Sequence, residues 1–296
     1  MLDKMPVLLY NKNVKIPWEE EKILAAEKSV TTLRLKDGAS VKLEYWDSLP
    51  STAALAKEYA KAGYPDKYVI FTEKQYSAPI MRTRLSEGES ESGIFISILL
   101  RPSFFPSQAV LIGPLCAAAL VSALEEHTTQ KPGICWLSDI FCNGSRIGGC
   151  ALEGKLDSYS SYEYMIITFA VKTDKKNFPP RMTDMIKKVF EKENRSLGTI
   201  IAKTILNKFF TVYSSIRSPQ KFMNIYKQHF LLTGKKIKLV QNGKKTVHTV
   251  LGVDTANGAL ILDSKSGDKL FITSTSSVLL PKRIRPPKRN DDAKND

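Results

Sequence analysis

Eight side chains of this sequence have the types and spacing to bind or activate a ligand. They are Ser51, Thr52, Gln75, Arg82, Arg84, Trp136, Asp139 and Arg146. A guanidinium group can hold a carboxylate or a phosphate through two parallel hydrogen bonds, so the arginines favour an anionic ligand. Ser51 and Thr52 stand where a helix is predicted to begin, and the first turn of a helix has unpaired N–H donors. The same pair could equally be a simple helix cap.

Metal chemistry built on cysteine and histidine has little support. The four cysteines form no CxxC pair, and the three histidines are scattered along the chain. A zinc site is therefore not expected. We interpret Cys116, Cys135, Cys142 and Cys150 as reduced thiols in or near the core. Asp139 could act near Mg²⁺ or could cap a turn, and the sequence favours neither.

The elements that must position these side chains begin near residue 40. Residues 41–46 alternate apolar and polar side chains, which predicts a half-buried strand, and a helix capped by Ser51 or Thr52 follows. Asn143-Gly144 is a strong hairpin signal between two strands. Further strands are predicted at residues 68–72, 94–100, 133–136, 145–153 and 164–172, and helices at 108–127, 181–192, 197–213 and 220–229. Residues 18–29 could form one more short helix.

The composition changes at Gly234. Short strands at close spacing, separated by turns, predict a small all-β barrel of SH3 size. After Pro281 the chain is basic and contains prolines, which predicts disorder. The expected organisation is an N-terminal extension (1–40), a larger α+β domain (41–232), the barrel (234–280) and a basic tail (281–296).

Several strings resemble the biotin protein ligase family. Residues 41–232 resemble the catalytic domain shared by biotin and lipoate ligases, and residues 234–280 resemble the small barrel that follows it in biotin ligases. Ser51-Thr52-Ala53 resembles the family's Ser-Thr-Asn, and residues 93–102 match the next family strand well. The resemblance implies an α+β fold: a mixed β-sheet with packed helices, followed by an SH3-like β-barrel.

The resemblance also implies roles for the eight side chains. Ser51, Thr52, Gln75, Arg82 and Arg84 match residues that bind biotin. The residues that match nucleotide-binding positions are Arg84, Trp136, Asp139 and Arg146. Arg146 replaces the family's catalytic lysine, whose ammonium group contacts the acyl carboxylate and the α-phosphate of ATP. The implied reaction uses ATP, biotin and Mg²⁺, and it transfers biotin to a lysine of a biotin carboxyl carrier domain.

The chain departs from the family where the chemistry occurs. Ala78, Ile80 and Thr83 replace loop glycines, Pro79 and Met81 replace loop arginines, and residues 166–173 lack the family's Gly-x-Asn-x-Asn pattern. Two hypotheses stay open: a working, divergent biotin ligase, and a non-catalytic protein of the same fold that binds a ligand, a carrier domain or a protein. The apolar loop could also select lipoate or octanoate as the acyl acid.

The net charge of +14 bears on partners and location. A basic surface can bind nucleic acid, but no aromatic side chains are interleaved and no DNA-reading motif is present, so we favour a solvated lysine-rich surface. We find neither a signal-peptide pattern nor an apolar run of the ~18 residues that span a bilayer, so we expect a cytoplasmic protein without membrane contact. The resemblance allows a homodimer through a sheet edge.

Overall fold

The computed structural model of the protein describes residues 28–36, 38–76, 91–127, 131–172, 197–241, 243–264, 267–273 and 278–279. Arg82, Arg84, the helix predicted at residues 181–192 and the basic tail lie outside these ranges. So does most of the short helix predicted at residues 18–29, although Lys28 and Ser29 lie in a strand.

The larger part of the chain is built on an eight-stranded mixed sheet. Its strands are β1 (Lys28–Arg34), β2 (Ser40–Trp46), β3 (Tyr68–Gln75), β4 (Glu91–Leu100), β5 (Gly133–Cys135), β6 (Asp139–Cys142), β7 (Ser145–Leu156) and β8 (Tyr162–Lys172). The spatial order is β1-β2-β3-β4-β8-β7-β6-β5. Only β2 and β3 run parallel among these neighbours, since a helix connects them, and the other pairs are antiparallel.

Within the described ranges, four α-helices pack on the sheet. They are α1 (Thr52–Lys61), α2 (Ile112–Glu125), α3 (Leu197–Tyr213) and α4 (Gln220–His229), and a 3₁₀ helix, Pro106–Leu111, leads into α2. Helices α2, α3 and α4 cover one face, where Ile96, Ile98 and Phe169 point into the main core. Helix α1 covers part of the other face and buries Leu55 and Tyr59 in a second cluster. This arrangement confirms the predicted α+β class with a mixed sheet.

Helix α2 explains the most apolar stretch of the sequence. Together with the preceding 3₁₀ turn it forms a 20-residue helical segment, Pro106–Glu125, that is long and apolar enough to cross a membrane. Of its most apolar window, 72% is buried inside the protein. A helix that is apolar all round is expected at the centre of a core, and α2 contacts both α3 and α4 there.

Strand β1 extends the sheet beyond the predicted domain start at residue 41. It pairs antiparallel with β2 along its whole length, from Lys28 opposite Trp46 to Arg34 opposite Ser40. The end of the predicted extension therefore contributes the edge strand of the sheet. Its side chains are mostly exposed, so alternation of apolar and polar residues gives little signal there.

The predicted hairpin at Asn143-Gly144 forms between β6 and β7. Both residues have positive φ, +52° and +75°, as a two-residue turn of this type requires. This hairpin fixes the register of β7 against β6 and places Arg146 opposite Phe141. The strand β6 itself was not predicted, because four residues between two turns give no periodicity.

The C-terminal part forms a five-stranded antiparallel sheet. Its strands are β9 (Lys236–Gln241), β10 (Lys244–Val253), β11 (Leu260–Asp263), β12 (Lys269–Ile272) and β13 (Val278–Leu279), in the order β12-β11-β10-β9-β13. A register shift between Val250 and Gly252 bends β10 so that it pairs with both β9 and β11. Short strands separated by turns are what the sequence predicts here, β13 excepted, and the likeness to an SH3 barrel stays a prediction.

Candidate functional site

The first part of the site is the N-terminus of α1. Ser51 has an extended backbone, and its hydroxyl accepts a hydrogen bond from the backbone N–H of Ala54 at 3.2 Å, which caps the helix. The backbone N–H of Thr52, the first residue of α1, donates to Gln75 Oε1 at 3.0 Å. Three of the predicted ligand-binding residues therefore meet where α1 begins and β3 ends.

A chain of hydroxyl groups extends from this point across the sheet. Thr52 Oγ1 lies 3.4 Å from Gln75 Oε1 and accepts a hydrogen bond from Ser97 Oγ at 2.9 Å. Ser97 Oγ in turn lies 2.9 Å from Thr168 Oγ1. All four side chains are buried. Such a network holds polar groups in a low-dielectric setting, where each needs its partner.

Ser97 and Thr168 were missed by the reasoning from sequence. They interrupt the apolar strands β4 and β8, whose other central residues are buried. A hydroxyl residue inside a strand that is buried on both faces must find a partner, so its presence there is the signal that could have revealed the network.

The second part of the site is an ion pair. Arg146 Nη2 lies 2.5 Å from Asp139 Oδ1, with the two side chains 31% and 27% exposed. Asp139 is the first residue of β6 and Arg146 the second residue of β7, and the Asn143-Gly144 turn folds these strands together. The geometry thus joins Arg146, the predicted catalytic cation, to Asp139, for which the sequence left a magnesium role and a turn-capping role open.

Two features show that this ion pair is built into the sheet. Arg146 Nε is a buried donor without a hydrogen-bond partner among the described residues. Gly149 makes room for the pair: a methyl group there would come within 3.1 Å of Asp139 Oδ1 and of the Ser138 carbonyl, and within 3.5 Å of Arg146 Nη2. One N–H of the guanidinium group therefore has no acceptor among the described residues.

Both parts of the site lie on the sheet face that carries α1. Gly149 pairs with Ala170, which is two residues beyond Thr168 on β8 and so on the same face. Two residues along a strand span about 6.7 Å, so the hydroxyl chain and the ion pair are about that far apart along β8. This face thus has a neutral polar end, the hydroxyl chain, and a cationic end, the ion pair. The small residues Gly149 and Ala170 lie on the same face.

Trp136 lies apart from this surface. Its side chain is 1% exposed, and its indole N–H donates at 3.0 Å to the carbonyl oxygen of Gly258, between β10 and β11 of the C-terminal sheet. With Cys135 and Phe141 it packs against Leu260 and other buried residues of that sheet. The structure therefore gives Trp136 a joining contact between the two sheets and does not place it beside the ion pair.

Cys135 is an inert neighbour of the ion pair. Burial raises the pKa of its thiol to about 12, and the negative charge of Asp139 adds to the shift. The thiol stays protonated at neutral pH and is a poor nucleophile. Among the described residues, no group of three or more His, Cys, Asp and Glu side chains could hold a metal ion.

The fold defined by these elements is that of biotin protein ligases. A point variant of the biotin protein ligase from Aquifex aeolicus, in complex with biotin, matches with a TM-score of 0.60 and 17% identity, over 82% of this chain and 98% of that chain. The same ligase in complex with biotin and ATP matches with a TM-score of 0.57 and 18% identity, over 78% and 95% of the two chains. A biotin protein ligase-like protein of unknown function from a Silicibacter species matches with a TM-score of 0.57 and 13% identity, over 83% and 97%.

Sequence similarity leads to the same class. The chain is 26% identical, over 144 residues, to the bifunctional ligase/repressor BirA of Bacillus subtilis. That match covers 48% of this chain and 44% of BirA, so it spans less than half of the relative. No family model matches the chain. The resemblance to biotin protein ligases that the motifs carry is confirmed by the fold and by this similarity.

Proposed function

We propose that the chain is a biotin protein ligase-type enzyme. It activates the carboxylate of biotin with ATP to give biotinyl-AMP and then transfers the acyl group to a lysine of a biotin carboxyl carrier domain. The observation that carries this proposal is the sheet face that holds the buried hydroxyl chain at one end and the Arg146–Asp139 ion pair at the other. A neutral hydrogen-bonding end suits a polar ring, and a cationic end about 6.7 Å further along β8 suits a carboxylate and a phosphate.

In the first step a carboxylate oxygen attacks the α-phosphorus of ATP, and pyrophosphate leaves. In the second step the amine of the carrier lysine attacks the acyl carbon, an amide forms, and AMP leaves. Both steps develop negative charge on oxygen, and catalysis consists of positioning and charge stabilisation. Arg146 is the described cation that we assign to this charge, with its unpartnered Nε–H as the donor.

Asp139 orients Arg146 in this proposal. The contact of 2.5 Å between Nη2 and Oδ1 fixes the plane of the guanidinium group and leaves its other edge for the ligand. Mg²⁺ would neutralise phosphate charge when it enters with ATP. Asp139 is one carboxylate that could share it, since Mg²⁺ is often held by one or two carboxylates together with substrate phosphates.

The remaining assignments rest on the motifs. We propose that Ser51, Thr52 and Gln75 bind the polar ring of biotin and that Arg82 and Arg84 hold its carboxylate and the phosphates. To bind the nucleotide, Trp136 has to leave its hydrogen bond with Gly258 or contact the nucleotide with a ring edge from its present position. The Aquifex ligase has been captured with biotin and ATP, which supports the same pair of ligands for this chain.

The decisive experiment is biotin-dependent exchange of labelled pyrophosphate into ATP by the purified protein. We expect exchange in the native protein, loss of at least tenfold in Arg146→Gln, and retained exchange in Arg146→Lys, where the charge is kept. Lys57→Gln removes a distant surface cation and is the matched control. The proposal would be overturned if neither the folded native protein nor the Arg146→Lys variant catalysed the exchange.

The second candidate is a non-catalytic protein of the same fold. One observation favours it: the polar groups of the site are already bonded to each other, from Gln75 through Thr52 and Ser97 to Thr168. A closed network of this kind needs no ligand. Calorimetry separates the two candidates, because the enzyme binds biotin and ATP together, whereas a pure scaffold for protein partners binds neither.

The location, the assembly and the alternative acyl substrates follow from the same proposal. We propose a cytoplasmic protein without membrane or nucleic-acid contacts, and a homodimer is one assembly that it allows. Lipoate or octanoate are the alternative acyl acids. Replacing biotin by each acid in the exchange experiment identifies the substrate directly.

A further inference from the structure

A cavity of about 320 Å³ lies at the end of the main sheet where β3 begins. Gln75, in the candidate site, is at the opposite end of the same strand. An eight-residue strand spans about 26 Å, so the cavity and the candidate site are separated by nearly the length of β3. A volume of this size is at the lower end of the range for small-molecule sites, roughly 300–1,000 Å³.

The inner wall of the cavity is apolar. It is formed by buried side chains from the end of β1, the segment after β4, helix α3 and the turn that follows α3, namely Leu35, Phe104, Phe210 and Ile216. Tyr213 adds an aromatic ring, which meets Phe104 edge to face at 6.3 Å between centroids. These walls belong to the main core, so their positions are set by packing and not by a ligand.

Tyr213 also offers a polar group. Burial raises the pKa of its phenol above the ordinary value, and the negative charge of Asp66 adds to the shift. The hydroxyl therefore stays protonated over the physiological pH range. It can act as a hydrogen-bond donor to an acceptor in the cavity.

Two cations stand at the same cavity. Lys67 and Arg217 both line it, and within the described ranges neither side chain makes a hydrogen bond or an ion pair. Lys67 has a φ of +60°, a conformation that is unfavourable for a non-glycine residue and that persists where the surroundings enforce it. The cavity thus combines apolar side chains with two cations that form no ion pair within the described ranges, while the carboxylate of Asp66 acts on Tyr213.

We propose that this cavity binds a small organic anion. The apolar body of the ligand packs between Phe104, Phe210 and Ile216, and its single carboxylate or phosphate group lies between Lys67 and Arg217. The site is independent of the ligase-type reaction, because it shares none of the residues assigned to that reaction.

The test uses the full-length protein with labelled leucine and isoleucine methyl groups and 4-phenylbutyrate as the probe. We expect saturable shifts of the Leu35 and Ile216 methyl resonances. Lys67→Asn and Arg217→Gln should each weaken binding about tenfold, since each removes a hydrogen bond to a charged group. Asparagine tolerates the positive φ at position 67, so this variant keeps the backbone. The neutral analogue 4-phenylbutan-1-ol should bind about tenfold more weakly than 4-phenylbutyrate, because it lacks the carboxylate. Phenyl phosphate tests whether a phosphate group binds in place of the carboxylate.

Three controls make the outcome decisive. Lys221→Gln removes an exposed cation on α4 and should leave binding unchanged. Ser214→Trp places a bulky ring at the cavity and should abolish binding. Arg146→Ala should bind the probe as the native protein does, because the two sites are separate. The proposal is overturned if the methyl resonances do not shift up to the solubility limit of the probe, or if Lys67→Asn, Arg217→Gln and Lys221→Gln bind equally well.

Discussion

At the scale of single residues, the site is defined by pairs whose members are distant in sequence. Arg146 replaces a family lysine, and the structure gives this arginine a carboxylate partner in Asp139. The guanidinium group is planar and presents its donors in a fixed fork, so one ion pair is enough to set its orientation. In the folded protein Arg146 and Asp139 therefore form one unit.

Gly149 allows a test of that arrangement. In Gly149→Ala the added methyl group would press on Asp139 Oδ1 and the Ser138 carbonyl, both 3.1 Å away, and would displace the carboxylate from Arg146. The neighbours must move by a few tenths of an ångström, so we expect pyrophosphate exchange to fall by less than the roughly 100-fold that a 1 Å misplacement can cause, with little change in the free energy of unfolding. Ala151→Gly, on the exposed part of the same strand, is the control. Unchanged exchange in Gly149→Ala would show that the ion pair does not position Arg146.

The hydroxyl chain gives a second prediction at this scale. Thr168→Val keeps the shape of the side chain but removes the partner of Ser97 Oγ. We expect the free energy of unfolding to fall by about 1–2 kcal/mol, measured by urea denaturation. Thr168→Ser retains a hydroxyl group and should lose less. Equal stability of the valine variant and the native protein would contradict a structural role for the chain.

At the scale of elements, helix α1 is held on the sheet by a buried carboxylate. Glu44 of β2 is 2% exposed and accepts hydrogen bonds from the hydroxyls of Tyr59 and Tyr68 and, at 2.7 Å, from the indole of Trp46. Lys28 Nζ of β1 lies 4.0 Å away. Because Tyr59 belongs to α1, this cluster fixes the helix whose N-terminus carries Ser51 and Thr52.

A substitution at Glu44 measures this anchoring. Glu44→Gln removes the charge and brings an amide donor towards three other donors, so we expect a loss of roughly 2–3 kcal/mol in the free energy of unfolding. Glu153→Gln breaks only the exposed pair with Lys57 and should change stability by less than about 1 kcal/mol. A similar, small change in both variants would argue against an anchoring role.

The contact between α2 and α3 is sensitive to pH. His127, just after α2, shares a hydrogen bond of 2.9 Å with Thr204 of α3. Burial lowers the pKa of this imidazole below its ordinary value, and Glu126 offsets part of the shift. Below pH about 6.5 the unfolded chain therefore binds more protons than the folded protein, and stability decreases as the pH falls.

The corresponding variant is His127→Gln. Its unfolding free energy should depend less on pH between about 5 and 7 than that of the native protein, because the group that titrates differently in the two states is gone. Urea denaturation at several pH values measures the slope. His248→Gln, in the C-terminal sheet, is the comparison. An unchanged slope in His127→Gln would place the pH dependence elsewhere.

At the scale of the whole molecule, the two sheets are joined through the β5–β6 region. Trp136 donates to Gly258, and residues of the C-terminal sheet, including Leu239 and Leu260, complete the same apolar cluster. The Ile134 carbonyl also accepts from the Leu231 N–H at 2.9 Å, just before that sheet begins. The C-terminal sheet is therefore attached next to the strands that carry Asp139 and Arg146.

Trp136→Phe tests this joint. The phenyl ring keeps most of the apolar contact but loses the hydrogen bond and leaves the Gly258 carbonyl without its donor, so we expect about 1–3 kcal/mol of lost stability. Circular dichroism during urea denaturation measures it without relying on tryptophan fluorescence. Phe271→Leu, at an exposed position of β12, should be nearly neutral. Full stability of Trp136→Phe would show that the indole N–H contributes nothing to the joint.

Much of this protein is determined by local sequence. The period of apolar residues predicts α1, α3, α4 and the central strands, and the Asn143-Gly144 dipeptide predicts its turn, since these signals depend on neighbours within a few positions. The motifs identify the fold and supply the chemical types of the site. Strand β1 and strand β6 were not predicted, because an exposed strand and a four-residue strand have no clear period.

Tertiary structure alone decides which side chains meet. The partners Ser97 and Thr168 are 71 positions apart, and Trp136 and Gly258 are 122 positions apart. Such contacts depend on the order and register of strands, and a shift of one residue would turn every side chain of a strand to the other face. The sequence thus names a cation at position 146, but only the folded sheet places it beside Asp139, above Gly149 and on the same face as Thr168.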